Sequence, residues 1–350
     1  MLMNIKNLSI QELQTQIEEL GEPLYRVTQI AKWLYQKGAT SFEQMSDLSL
    51  ELRQKLKEAF TISWPKILQK QVSKDGTVKY LFRLADEQTV ESVLIPSQNR
   101  FTICVSTQVG CKLGCKFCAS GVAGFKRHLT SGEIVDQILA ARQNQPHRRI
   151  TNVVFMGMGE PMDNYENVIA AVKLINSSAG LDIGARKITL STSGMIPGIG
   201  KLAKEGIQVE LSVSLHAGNS EVRNRLMPIN RKYPIDQLIS ACRDYIQRTN
   251  RQITFEYTLI SGVNDRVEDA NDLAALLRRM KCQVNLIPLN PIREFPYKPA
   301  TVVTAKQFRK RLQMLGVDAT IRKTMGRDID GACGQLRLSR CNASVISGQS

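Results

Sequence analysis

From residue 100 onward, short β-rich runs alternate with helical ones, and no other feature of the 350-residue chain constrains its fold as tightly. The strand-like runs are 101–106, 151–156, 187–191, 208–214, 253–259 and 283–287, with 317–321 as an extra one. Helical periodicity fills 131–143, 165–176, 196–204, 235–247, 267–279 and 304–314. Six or seven β-α units at this spacing predict a parallel sheet, either an open doubly wound sheet or a full or partial β/α barrel. Upstream the pattern is different. Residues 10–60 read as helices, with apolar groups at helical spacing from Arg26 to Tyr35 and again from Leu48 to Phe60, where Ser49 can act as a cap. From Ile67 to Thr107 the period becomes that of strands, with Lys74-Asp75-Gly76 as a turn signal, so a boundary falls near residues 70–95.

Composition decides the class of protein that carries this pattern. Hydrophobic residues make up 43% and charged residues 23%, ordinary globular usage that excludes a disordered or collagen-like chain. No apolar run approaches the ~20 residues that cross a bilayer. The start, Met1 to Lys6, lacks the charged and apolar regions of a secretory signal, so the expected compartment is the cytosol. There the 8 cysteines are expected to be thiols, metal ligands or catalysts rather than disulfide staples. The net charge of +15 is unevenly spread: residues 101–150 carry +5 and residues 301–350 carry +6, whereas the first 100 carry +1. Two basic segments fit a polyanionic partner, because Lys and Arg beside phosphates release counterions; a merely solvated basic surface is the alternative.

The unusual residues fall where strands end. Cys111-Lys112-Leu113-Gly114-Cys115-Lys116-Phe117-Cys118 follows the first strand of the alternating region, Gly157-Met158-Gly159-Glu160-Pro161 the second and Ser191-Thr192-Ser193-Gly194 the third. Ser214-Leu215-His216-Ala217 follows the fourth and Asn290-Pro291 the sixth. The C-terminal ends of parallel strands are where β/α enzymes assemble their sites. Three soft thiolates in C-x3-C-x2-C, with Gly110 and Gly114 letting the backbone wrap, suit zinc or an iron–sulfur cluster. Zinc needs a fourth ligand, Cys104 or His128, whereas three cysteines on a cubane leave one iron open.

The cysteine loop, with Phe117 just before its last thiol, resembles the signature of the radical S-adenosylmethionine (SAM) superfamily, and Gly157 to Pro161 resembles its glycine-rich strand end. Within that superfamily, Asp328-Ile329-Asp330-Gly331-Ala332-Cys333-Gly334-Gln335-Leu336 and Cys104, seven residues before the first loop cysteine, resemble the adenosine C2-methyltransferases of 23S rRNA and tRNA. The likeness extends through Val90-Glu91-Ser92-Val93, Met227-Pro228-Ile229-Asn230 and Asn285 to Pro291, and so over nearly the whole chain. The fold it implies is a radical SAM partial (β/α)6 barrel at residues 97–338, preceded by a helical accessory domain at 1–75 that helps hold RNA and a β extension at 76–96, and followed by a tail at 339–350.

The resemblance also implies roles. Cys111, Cys115 and Cys118 hold one [4Fe-4S] cluster per chain, and the site for SAM comprises Gly159, Glu160, Ser191, Ser214, Leu215, His216 and Asn290. Taken one at a time, the two serines could equally cap helices, His216 could be a satisfied loop histidine and Asn290 a turn residue. Two SAM molecules serve each turnover. Cys333 takes a methyl group from one; the other yields a 5′-deoxyadenosyl radical that removes hydrogen from the S-methyl group. The methylene radical adds to adenine C2, Glu91 accepts the C2 proton, and Cys104 attacks the sulfur of Cys333 to release product as a disulfide forms. Implied partners are 23S rRNA, tRNA and an external electron donor, with no membrane and nothing demanding more than a monomer. The alternatives are the sister group acting at adenosine C8, from which Glu160-Pro161 separates this chain, a radical SAM enzyme acting on a small molecule, and a zinc-stabilised RNA-binding protein without catalysis.

Overall fold

The structure is a computed structural model that describes residues 2–122, 124–292, 294–326, 328–329 and 334–337. Cys333 and the 339–350 tail lie outside the described residues. The chain's centre is one ten-stranded mixed sheet. In chain order its strands are β1 Lys66–Val72, β2 Val78–Arg83, β3 Thr89–Ser97, β4 Arg100–Cys104, β5 Asn152–Phe155, β6 Ile188–Thr192, β7 Glu210–Ser214, β8 Ile253–Leu259, β9 Cys282–Pro288 and β10 Ala319–Ile321. Neighbours in the sheet follow chain order, β1 to β4 being antiparallel and β4 to β10 parallel. All seven strand expectations are met, and helices fill the crossovers between the parallel strands.

A flat sheet of ten strands would span roughly 40 Å at the usual inter-strand spacing. Yet Lys79 of β2, Ile287 of β9 and Arg322, just past β10, line one cavity, so the sheet curls around it. Alternation along the strands shows which face does so. In β8, Phe255 and Tyr257 are buried outward, Tyr257 packing on Phe308 of helix Val302–Met314 at 5.2 Å, whereas Glu256 and Thr258 line the cavity. An apolar face covered by helices and a polar concave face make a partial barrel rather than a doubly wound sheet, whose strands are apolar on both faces.

The helices Ile10–Glu19, Tyr25–Ala31 and Leu50–Ala59 pack beside this core. Ser49 caps the last of them, accepting from Leu52 N at 3.1 Å. The second continues into wider π-helical turns over Lys32–Lys37, ended by Gly38 at φ 71°. Helix Ser131–Asn144 is where the two parts meet. Every residue from Ser131 to Ala141 except Glu133 is buried, because one side lies on the sheet and the other on the N-terminal segment. Lys6, itself fully buried, forms an ion pair with Asp136 of this helix and donates to Ser63 O at 2.6 Å. The expected divide between residues 75 and 76 falls in the turn of the β1–β2 hairpin, where Ser73 N donates to Thr77 O at 2.9 Å. The β extension and the parallel strands are a single sheet, so backbone pairing continues unbroken from residues 76–96 into the parallel part.

Candidate active site

The cavity has a volume of about 360 Å³ and lies at the C-terminal ends of β4 to β9. Cys111, Cys115 and Cys118 line it from one loop. Gly110 begins that loop at φ 79°; a Cβ there would stand 1.6 Å from the carbonyl oxygen of Gly124, so only glycine lets the two arms of the loop close. Cys118 N donates to Cys115 O, and Lys116 N donates to Leu226 O at 2.9 Å, which ties the loop to helix Ser220–Leu226. Burial, reinforced by neighbouring thiolates, pushes the Cys111 thiol up to about 12 and raises Cys115 well above its ordinary value. Unaided, these are neutral thiols; a cationic iron group supplies the charge that ionises them.

Among the described residues, no three His, Cys, Asp or Glu side chains converge on a point as ligands of a single ion do. His128 is engaged elsewhere, its Nδ1 3.1 Å from Gln108 Nε2 and its ring against Phe125. Three thiols fit a multi-iron group held by one thiolate at each of three irons.

The glycine-rich strand end lies opposite. Gly159 is at φ 102°, and a Cβ would meet Gln108 Cβ at 2.5 Å. Glu160 is buried, and burial raises its carboxyl above the usual range. Its Oε2 accepts from Ser193 N at 2.7 Å and its Oε1 from Met162 N at 3.1 Å, and the side chains of Thr192 and Ser193 also hydrogen-bond the carboxylate. Ser191 and Ser214 line the cavity and do not cap helices: Asn219 caps Ser220–Leu226, and Thr192 Oγ1 takes the amides of Gly194 and Met195 before helix Ile196–Leu202. His216 lines the cavity with its backbone at φ 57° and its ring 4.8 Å edge-on to Phe117. Its Nδ1 accepts from Thr258 N at 2.9 Å, and burial lowers its pKa to about 3, so the ring is neutral with its proton on Nε2. Asn290 also lines the cavity. Leu215 does not: its side chain sits in the apolar core and its N–H and C=O are taken by Glu256 O and Arg223 Nε.

Cys104 and Glu91 form the remaining wall. Lys79, Val93 and Cys104 stand directly opposite one another across β2, β3 and β4, and Glu91 lies two residues from Val93 on the same face. Burial raises the Cys104 thiol, with Arg322 and Lys79 pulling it back. Glu91 Oε2 pairs with Lys79 Nζ at 2.6 Å and accepts from Gly334 N at 2.7 Å, while its Oε1 accepts from Arg337 N at 2.5 Å. The peptide group that follows Cys333 in the chain is thus bonded to Glu91. Lys79, Arg223, Glu256 and Arg322 were missed from the sequence. Glu256 carried a signal, the lone charge inside an otherwise uncharged strand, and Lys79 a weaker one, a charge between Val78 and Tyr80 in a strand that ends at Arg83; Arg223 did not, since a charged residue on a short helix reads as solvent-facing.

A radical SAM superfamily model matches residues 105–274, which hold the cysteine loop, the glycine-rich strand end and His216. A model of the ribosomal RNA large subunit methyltransferase N-terminal domain matches residues 3–62. A probable dual-specificity RNA methyltransferase RlmN from Caldanaerobacter subterraneus is 48% identical over 337 residues, covering 96% of this chain and 98% of its own. The RlmN relative from Bacillus licheniformis is 48% identical over 338 residues, covering 95% and 93%. The chain belongs to the RlmN family. As an RlmN-family member it is a radical SAM RNA methyltransferase, and SAM with a [4Fe-4S] cluster are the cofactors this family implies. A crystal structure of a radical SAM methyltransferase from Sphaerobacter thermophilus superposes with a TM-score of 0.91 at 45% identity, over 95% of this chain and 98% of that one. RlmN-type architecture therefore extends through both the accessory helices and the curled sheet. Catalysis replaces the zinc-stabilised binding module as the reading of the cysteine loop.

Proposed function

We propose that the chain methylates C2 of adenosine in 23S rRNA, at adenosine 2503, and in tRNA at adenosine 37. The observation that carries this reading is the bond from Gly334 N to Glu91 Oε2, which spans 243 positions and brings the segment after Cys333 to the wall that holds Cys104. Cys111, Cys115 and Cys118 hold one cluster, and Gly159, Glu160, Ser191, Ser214, His216 and Asn290 hold SAM, with Leu215 supporting them from behind. The two cofactors supply reductive cleavage of SAM to a carbon radical, a reaction suited to adenine C2, which carries no acidic proton for polar methylation.

The chain's own groups do the rest. Cys333 is the nucleophile that takes methyl from a first SAM and then carries the carbon that joins C2. Glu91 accepts the C2 proton, for which it must exchange one of its present donors for the substrate. Cys104, kept as a neutral thiol by burial, ionises as the site opens and attacks the Cys333 sulfur; the S–S bond forms as the bond from sulfur to the C2-borne CH2 breaks, and that carbon takes up a proton to leave as the methyl group. Two SAM molecules are consumed per turnover, an external donor supplies electrons, and the monomer acts in the cytoplasm with residues 1–75 helping to hold RNA. No helix among the described residues is long and apolar enough to cross a membrane.

The test is mass spectrometry of nucleosides after anaerobic incubation of cluster-loaded protein with SAM, reductant and unmodified rRNA fragment or tRNA. 2-Methyladenosine is expected; 8-methyladenosine would move the chain to the sister chemistry. Cys333→Ala should abolish product while iron content stays unchanged.

A further inference from the structure

Arg223 is the largest fully buried side chain in the molecule's described part, at 0% exposure, and pairs with no carboxylate within 4 Å among the described residues. Its partners are neutral: Nε donates to Leu215 O at 3.2 Å, Nη1 to Asn230 Oδ1 at 2.9 Å, and Nη2 to Ser193 O at 2.7 Å and Ser214 O at 3.5 Å. A buried charge without a counter-ion is costly, and four oxygen dipoles offset only part of that cost. The backbone makes room for it nonetheless. At Gly194, held at φ 105°, a Cβ would stand 3.0 Å from Arg223 Nη2 and 2.8 Å from Leu238 Cδ2. Burial lowers the guanidinium pKa to about 10, which leaves it charged at neutral pH, and Cys115, once ionised by an iron group, is the foremost group that favours the charged form. The helix that carries it is bonded to the cysteine loop through Lys116 N and Leu226 O, and Leu226, Met227 and Ile229 pack against Leu113, Cys115 and Phe117.

We infer that Arg223 is a positioning residue whose buried positive charge is the counter-ion of the anionic iron–sulfur group held by the Cys111–Cys118 loop. Three thiolates make that group a net anion, and reduction adds another negative charge, so a fixed cation behind the loop favours the reduced form. Its planar fork also ties the ends of β6 and β7 together under the SAM site, a task a lysine cannot perform. This rests on the cluster assignment of the proposed function and adds to it a residue that touches neither cofactor nor RNA.

The experiment is anaerobic redox titration of the cluster in the full chain, followed by electron paramagnetic resonance, with SAM affinity measured on the same samples. Arg223→Met is expected to lower the reduced-to-oxidised ratio at a fixed potential about tenfold, which is ~59 mV for one electron. Arg223→Lys is expected to keep the ratio within about threefold of the parent while SAM binding weakens, because charge survives and the fork does not. A parent-like potential in a cluster-loaded Arg223→Met protein overturns the inference. If that variant does not fold, Arg223→Lys decides: a reduced-to-oxidised ratio that falls tenfold despite the retained charge overturns it equally. Absence of iron from the parent protein would instead remove the cluster assignment itself.

Discussion

His216 shows how one side chain's burial becomes a solution property. Its pKa is about 3 in the folded chain and ordinary when unfolded, so between those values only the unfolded state takes up a proton. Stability is therefore unaffected above pH ~6.5 and falls as pH drops from there toward 3, by up to ~1.4 kcal/mol per unit. Chemical denaturation from pH 7 to 4 should show this slope, and His216→Gln should flatten it. Gly159 makes a steric prediction: Gly159→Ala forces a Cβ against Gln108 at 2.5 Å in a left-handed conformation and should cost about 3 kcal/mol, read as a lower denaturation midpoint. Both residues were legible as site candidates because strand-end polar and glycine residues are conspicuous between apolar runs. Arg223 was not, because its burial depends on the strand-end turn at Ser193 and Gly194, some 30 positions before it in the chain.

At the scale of elements, helix Ser131–Asn144 carries the joint between the two parts of the molecule. Asn7 Oδ1 accepts from Gly132 N at 3.3 Å, Ser63 Oγ donates to Asp136 Oδ2 at 2.9 Å, and Lys6 pairs with the same carboxylate. Removing one partner of a buried pair leaves the other uncompensated, so Lys6→Met should destabilise the chain by ~3–5 kcal/mol. Asp136→Asn paired with Lys6→Met should recover much of that loss, a non-additivity measurable in a double-mutant cycle. The helical periodicity of this segment was visible in the sequence; that nearly every residue from Ser131 to Ala141 is buried, Asp136 and Gln137 among them, was not, because it follows from the N-terminal segment packed against the helix.

For the whole molecule, one apolar core runs from Ile5 through Ala319 without interruption, so the accessory helices are not a detachable module. A chain starting at residue 63 should uncover the helix face that carries Gly132, Asp136 and Arg142, now covered by Asn7, Lys6 and Tyr35, and aggregate on expression, whereas the full chain stays monodisperse by light scattering. RNA affinity should fall steeply with salt, each phosphate-contacting Lys or Arg contributing about one unit to the slope of log affinity against log salt concentration. The β-α alternation, the helical N-terminal part, the cysteine loop and the residues that strand ends would present were all set by the amino-acid order, since period and spacing are local properties of a chain. Folding in three dimensions was needed to show that the β extension and the parallel strands form one curled sheet, that Glu91 meets Lys79 and, across 243 positions, Gly334, and that a buried arginine is carried on the helix bonded to the cysteine loop. Those are meetings of residues far apart in the chain, and only the curvature of the sheet and the packing of its core bring them within bonding distance.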